Sequence, residues 1–321
     1  MPTDNPFASL SSEQQVASLS DCVLEILSHY GLAEAEFESI NHEFNSTFKV
    51  TAADSQKFAL RININSHRSP ANLLAEVSWV ASIRSVRTPK PQINRAGEYI
   101  THGWHEASGR RLDAVLYSWL DGQELGDEPT AEQMWAAGAA MALLQAEART
   151  FELPPGAELP GLADFFWGSA DLLLGPGTQL DESEQALVSA AKARIEHTIA
   201  ELALHAAQLP IHADMHPWNL MWHEGELAVF DFDDSGIGMP VHDLATALYY
   251  LDTDEQRQAL LDGFASVAPL PEHTPTQLQD LLLQRRIFLL NSLYETSTPH
   301  LIGIIPDYKA ETMRRIQAAL A

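Results

Sequence analysis

The stretch that most constrains this chain runs from Leu209 to Leu244, LPIHADMHPWNLMWHEGELAVFDFDDSGIGMPVHDL. Leu220-Met221-Trp222 is apolar, His223-Glu224-Gly225-Glu226 has turn composition, and Leu227-Ala228-Val229-Phe230 is apolar again. That pattern predicts two short strands joined as a β-hairpin. With Gly225 at the centre of the turn, positions equidistant from it face one another. Asn219 then lies opposite Asp231 at the open end, with Asp214 one short loop upstream.

Three oxygen-bearing side chains at a strand end suit a hard cation such as Mg2+, which binds one or two carboxylates together with substrate phosphates. Asp214 stands slightly apart from the hairpin mouth, where it suits accepting a proton from an attacking hydroxyl. A solvated acidic hairpin is the plainer reading. Against it, the H-x-D-x-x-x-x-N spacing, the hairpin and the following D-F-D-D support one another.

These residues resemble the catalytic core of the protein-kinase-like phosphotransferases, within the family that groups aminoglycoside phosphotransferases, choline kinases, homoserine kinases and bacterial stress-response kinases. His212-Ala213-Asp214-Met215-His216-Pro217-Trp218-Asn219 is similar to its catalytic loop, and Val229-Phe230-Asp231-Phe232-Asp233 to its form of the kinase D-F-G. Pro240-Val241-His242-Asp243-Leu244-Ala245 resembles the P-x-x-x-D-L-A that follows. The resemblance implies that Asp214 is the catalytic base, that Asn219 and Asp231 bind Mg2+, and that Asp243, with His212, supports the loop. It also implies an α+β, protein-kinase-like two-lobed fold, with a small antiparallel-sheet N-lobe and a larger, mostly helical C-lobe.

The net charge is −25, unevenly spread: residues 1–122 carry −4 and residues 123–321 carry −21. So acidic a half disfavours nucleic acid and anionic membranes as partners and suits a cationic substrate, beyond its use as a solubility surface. No apolar run is long enough to span a bilayer, and MPTDNPFASLSSEQQ has no secretory pattern. The single Cys22 precludes an internal disulfide or a cysteine zinc site, and the expected location is the cytoplasm.

Upstream, Ser11–Gln15 forms a capping box for a helix that Gly31 ends. Strands are expected at Phe37–Ile40, Thr47–Val50 and Lys57–Ile62. Between the first two, residues 41–46 occupy the place of the kinase phosphate-covering loop but contain no glycine; Asn45–Val50 resembles the family's N-x-x-Y/F-x-V. In the third strand, Phe58, Leu60 and Ile62 share one face and Lys57, Ala59 and Arg61 the other. Ala59-x-Arg61 stands where kinases keep A-x-K, so Ala59 is expected under the adenine and Arg61 on the phosphates.

Ser69-Pro70 opens a helix in which Glu76 falls on the apolar stripe of Leu73, Val77, Val80 and Ile83. A carboxylate turned inward needs a partner, and Arg61 is the candidate. Further strands are expected at Gly97–Ile100 and Asp113–Leu120. By the resemblance, the latter leads through Ser118, Trp119 and Leu120 into a hinge whose backbone holds adenine. The boundary is therefore drawn at Gly122: residues 1–122 as a nucleotide-binding lobe and 123–321 as the catalytic and acceptor-binding lobe.

Helices are expected from Thr130 to Arg149, with Met134, Trp135, Met141 and Leu144 as core, and from Asp181 to Ala207. Four more follow the hairpin: Leu244–Leu251, Asp254–Val267, Gln277–Tyr294 and Tyr308–Leu320. Residues 151–180 are rich in Pro and Gly, and their Phe165-Phe166-Trp167 cluster either packs or lines an acceptor pocket. The reading that follows is an ATP- and Mg2+-dependent phosphotransferase acting on a small-molecule or protein hydroxyl. Two alternatives stand beside it. One is an ATP-binding pseudokinase. The other is a metal-dependent phosphoesterase using His212, His216, His223 and His242 with the nearby aspartates, although that scheme leaves Arg61 and Glu76 unused.

Overall fold

The computed structural model describes Phe7 and residues 10–66, 68–296 and 299–321; most of the N-terminal segment considered above for a leader lies outside them. The chain forms two compact units. The first runs to Asp121 and includes Glu152–Glu158; the second comprises Gly122–Phe151 and Leu159–Ala321.

In the first unit, α1 (Ser12–Ser18) and α2 (Ser20–Tyr30) precede β1 (Glu36–His42), β2 (Ser46–Thr51) and β3 (Lys57–Ile62). After α3 (Pro70–Ser82) come β4 (Ile100–His105) and β5 (Arg110–Ser118). The five strands make one antiparallel sheet in the order β1-β2-β3-β5-β4. Ser11 caps α1 with the expected box, and Gly31 ends α2 at φ +78°. Alternation in β3 sends Phe58, Leu60 and Ile62 into a core shared with Cys22, Val23, Ile26 and Leu27 of α2. Arg61 consequently lies on the opposite face. β4 begins at Ile100, where the sequence placed its end, because Asn94–Gly97 closes a turn instead: Gly97 N–H donates to the Asn94 carbonyl at 2.9 Å. Glu152–Glu158 joins this unit through Glu158, which bonds the start of α3 at Ala71 and Asn72.

The second unit contains β6 (Gln123–Glu124), α4 (Ala131–Ala148), α5 (Glu182–Ala203) and β7 (Leu209–Ile211). The hairpin strands β8 (Leu220–His223) and β9 (Glu226–Val229) follow, then β10 (Gly236–Gly238) and α6 (Pro240–Tyr249). α7 (Asp254–Ala265), α8 (Pro275–Leu293) and α9 (Pro299–Leu320) complete it. β6, β8 and β9 form a small sheet, and β7 pairs with β10. α4 and α7 pack closely: a Cβ on Gly138 would sit 1.9 Å from the Leu260 carbonyl oxygen, and one on Gly263 would sit 1.9 Å from that of Trp135. Trp135, expected in the core, is 47% exposed, whereas Met134, Met141 and Leu144 are buried. The outward stripe of α4, Trp135, Ala139, Leu143 and Ala146, is as apolar as its buried side, so the sequence gives no contrast by which to exclude Trp135. Phe165 and Phe166 pack into the core formed by α5, α6, α8 and α9.

Candidate active site

The hairpin forms where expected, with one correction. Leu220 pairs with Val229 and His223 with Glu226, so a two-residue turn of Glu224 and Gly225 connects the strands. Both have positive φ, +50° and +84°, as a type I′ turn requires. The register is therefore one residue away from one centred on Gly225. Asn219 faces Phe230, whose N–H donates to the Asn219 carbonyl at 3.1 Å, and not Asp231. Asp231 is the next residue, exposed, with φ +61°.

Asp214 sits in a loop held from several sides. Buried Asp243 accepts the Ala213 N–H at 2.7 Å, where Ala213 takes a left-handed φ of +66°. The other Asp243 oxygen accepts Gln145 Nε2 at 3.2 Å, and the same amide reaches the Pro240 carbonyl at 3.1 Å. Burial raises the Asp243 pKa, against the opposing pull of His212 and these hydrogen bonds. His212 Nε2 lies 3.0 Å from the Phe230 carbonyl, which can only accept, so this nitrogen carries the proton. Its Nδ1 accepts the Asp214 N–H at 3.3 Å. With both nitrogens committed, His212 is a neutral brace. Burial, the largest influence, lowers its pKa.

The Asp214 carboxylate receives three side-chain partners. Arg285, from α8, donates to Oδ1. His216 Nε2 and Asn219 Nδ2 each lie 3.2 Å from Oδ2. His216 Nδ1 accepts the Trp218 N–H, so Nε2 is the protonated nitrogen here as well. Burial pushes the Asp214 pKa up, but Arg285 foremost, with His216, outweighs it and holds the group below the usual carboxylate range.

Asn219 Nδ2 also donates to the Asp214 carbonyl at 2.9 Å. Since both of its partners only accept, the amide orientation is determined, and Oδ1 is left as the group able to meet a cation. Asn219 Oδ1 and the Asp231 carboxylate are oxygen donors of the hard type that a cation such as Mg2+ accepts. Among the described residues, no group of three or more His, Cys, Asp or Glu is arranged to hold a metal ion.

In the first unit, Arg61 and Glu76 meet as the helical spacing required. Arg61 Nη2 lies 2.7 and 2.6 Å from the two Glu76 oxygens, with both residues buried. Tyr117 donates its hydroxyl to Glu76 at 3.3 Å, and its ring lies 5.6 Å from the Arg61 guanidinium. Ala59 is two residues before Arg61, on the same face of β3. Ser118 ends β5, its Oγ accepting the Lys90 N–H at 2.8 Å, and half-buried Trp119 and Leu120 follow. The glycine-free segment is a tight turn: Glu43 N–H bonds the Asn45 carbonyl at 2.9 Å, and Asn65 holds the Glu43 and Phe44 carbonyls.

Sequence reasoning missed Arg285, Tyr250 and Gln145. A signal for the first was present: Gln284-Arg285-Arg286 interrupts the otherwise apolar LLLQRRIFLL, and buried cations need partners.

An antiparallel-sheet unit followed by a mostly helical unit bearing this loop and hairpin defines a protein-kinase-like phosphotransferase. The chain belongs to the phosphotransferase enzyme family (APH), whose profile matches residues 36–275. Among solved structures it is similar to a microcompartment-associated aminopropanol kinase, with TM-score 0.77, 21% identity, and coverage of 93% of this chain and 96% of that one. It is also similar to an amicoumacin kinase in complex with AMP-PNP and Ca2+, with TM-score 0.74, 17% identity, and coverage of 95% and 96%. For aminoglycoside phosphotransferase APH(4)-Ia the values are 0.61, 15%, 95% and 98%. Among curated proteins none matches significantly. No described helix is long and apolar enough to cross a membrane.

Proposed function

We propose that this phosphotransferase moves the γ-phosphoryl group of ATP to a hydroxyl of a small, amine-bearing molecule. The observation that carries this reading is the Asp214 loop. One carboxylate is oriented by Arg285, His216 and Asn219, and Asn219 meets it through Nδ2, which leaves the side-chain Oδ1 for a cation. The acceptor class is supported by the −21 charge of residues 123–321 and by the aminopropanol and aminoglycoside named for structural neighbours.

In this reading Asp214 orients the acceptor hydroxyl and takes up its proton as the bond to phosphorus forms. Asn219 and Asp231 hold Mg2+, which when bound neutralises charge on the phosphate oxygens. His212 and Asp243 fix the loop. Residues 1–122 form the nucleotide-binding lobe, in which Arg61, steadied by Glu76, serves the phosphates, and Ala59 with Ser118, Trp119 and Leu120 serves the adenine. Residues 123–321 form the catalytic and acceptor-binding lobe. Phosphoryl transfer needs mainly positioning and charge neutralisation, and these groups provide both.

The test is ATP consumption with amino alcohols, aminoglycosides, homoserine and protein substrates, repeated with Asp231→Ala. Mg2+-dependent transfer in the parent and its loss in a folded Asp231→Ala protein are expected. Equal Mg2+-supported activity in both would overturn the metal assignment, and transfer only to a protein substrate would overturn the acceptor class.

A further inference from the structure

Arg285 and Arg286 are neighbours in α8, both buried, and their surroundings differ in kind. Arg286 has the partners of a structural arginine. Nε donates to Thr312 at 3.1 Å, Nη1 to Tyr249 at 3.3 Å and Nη2 to the Tyr308 carbonyl at 3.2 Å, with the guanidinium 4.1 Å from the Tyr308 ring. It ties α6, α8 and α9 together.

Arg285 uses one nitrogen, Nη2, for both of its hydrogen bonds: to Asp214 and to the Tyr250 hydroxyl at 2.9 Å. Nε and Nη1 are buried with no hydrogen-bond partner among the described residues. Instead the guanidinium is caged by rings, with its carbon 5.8 Å from Trp167, 5.4 Å from Tyr250 and 5.3 Å from Phe288. Burying a cation with only part of its hydrogen-bonding capacity satisfied is a poor way to stabilise a fold. A planar cage that prevents tilting, with one nitrogen aimed at one carboxylate oxygen, is a good way to fix where that carboxylate points. Tyr250 extends the arrangement, since its ring also packs 4.8 Å from His216, the partner of the other Asp214 oxygen.

We infer that Arg285 is a positioning residue for phosphoryl transfer, acting through Asp214: the aromatic cage of Trp167, Tyr250 and Phe288 fixes its guanidinium, and the guanidinium fixes the carboxylate that meets the acceptor hydroxyl. This rests on the assignment of Asp214 given above. It also bears on substrate choice. Because Arg285 already balances the charge of Asp214, an ammonium group on the acceptor gains little there, so recognition of a cationic acceptor falls to other residues of this acidic unit.

The test is steady-state kinetics at saturating acceptor, with folding of each variant checked by circular dichroism and thermal denaturation. Arg285→Ala is expected to lower kcat by about 100-fold, the size of loss that a misplacement near 1 Å brings, with KM for ATP changed less than about twofold. Added guanidinium ion should recover part of that loss in Arg285→Ala and none in Asp214→Asn. The double variant Arg285→Ala/Asp214→Asn should be no slower than Asp214→Asn alone, since Arg285 acts through that group. Should Arg285→Ala fail to fold, Arg285→Lys serves instead. It keeps the charge but lacks the planar fork, and kcat should fall at least about tenfold with KM for ATP unchanged. Parental kcat in a folded Arg285 variant, or losses that multiply in the double variant, would overturn the positioning role while leaving the kinase reading intact. A folded parent that transfers phosphate to no acceptor would overturn both.

Discussion

Asp243 receives the backbone N–H of Ala213 at 2.7 Å, across 30 residues of sequence, and this bond closes the loop that presents Asp214. A non-glycine residue at φ +66° is held there by its surroundings, and the buried carboxylate is the nearest cause.

Removing that carboxylate should therefore release the loop. Asp243→Ala leaves the Ala213 N–H and the Gln145 amide short of an acceptor inside the protein, a cost of about 1–3 kcal/mol for each group stranded. The expected outcome in urea denaturation is a lower midpoint at unchanged slope, with turnover also reduced. Unchanged stability would mean that other contacts hold Ala213.

The Arg61–Glu76 pair makes a different prediction, because both partners are buried. Breaking such a pair from one side typically costs about 3–5 kcal/mol, since the remaining charge stays in the interior. Arg61→Ala and Glu76→Ala should each be strongly destabilising, and the double variant should be more stable than the sum of the two losses implies. For ATP, Arg61→Lys should be tolerated better than Arg61→Ala, and Glu76→Gln should weaken its use. Parental ATP kinetics in a folded Arg61→Ala protein would remove Arg61 from the phosphate site.

What could be read in advance divides along the range of the interactions. The caps at Ser11, Ser69 and Thr130 are local, and each forms its capping box. Arg61 and Glu76 could be paired because helical periodicity turned Glu76 inward and strand alternation set Arg61 on the face of β3 away from Phe58, Leu60 and Ile62. The hairpin was visible in its composition, but its register turned on Glu224 accepting a left-handed conformation, which a glycine-centred reading does not supply. Arg285 lies 71 residues beyond Asp214, and only the packing of α8 brings them together. The Trp167 cage member comes from a stretch with no periodicity at all. Such long-range partners carry no signature of spacing.

Histidine burial sets a pH dependence. Burial alone drives the His242 pKa down to about 4. In the unfolded chain the imidazole titrates near about 6.5, so between these values the unfolded state binds more protons. Stability is thus expected to fall as pH drops from about 6.5 to about 4, by up to about 3 kcal/mol from this residue, and to lose no more from it below that. Across this range the urea midpoint of the parent should fall further than that of His242→Leu as pH drops. Parallel curves would show that His242 charges without cost in the folded protein.

The most direct test of the account is nucleotide affinity and turnover of Asp214→Asn beside the parent, with an acceptor identified among the amine-bearing alcohols. The amide keeps the size of the carboxylate and much of its hydrogen bonding but cannot take up the acceptor proton, a role that typically contributes about 100- to 10,000-fold to rate. ATP affinity should stay near the parental value while kcat falls by at least about two orders of magnitude. Turnover of Asp214→Asn at the parental rate would contradict the assignment of Asp214 as the catalytic base.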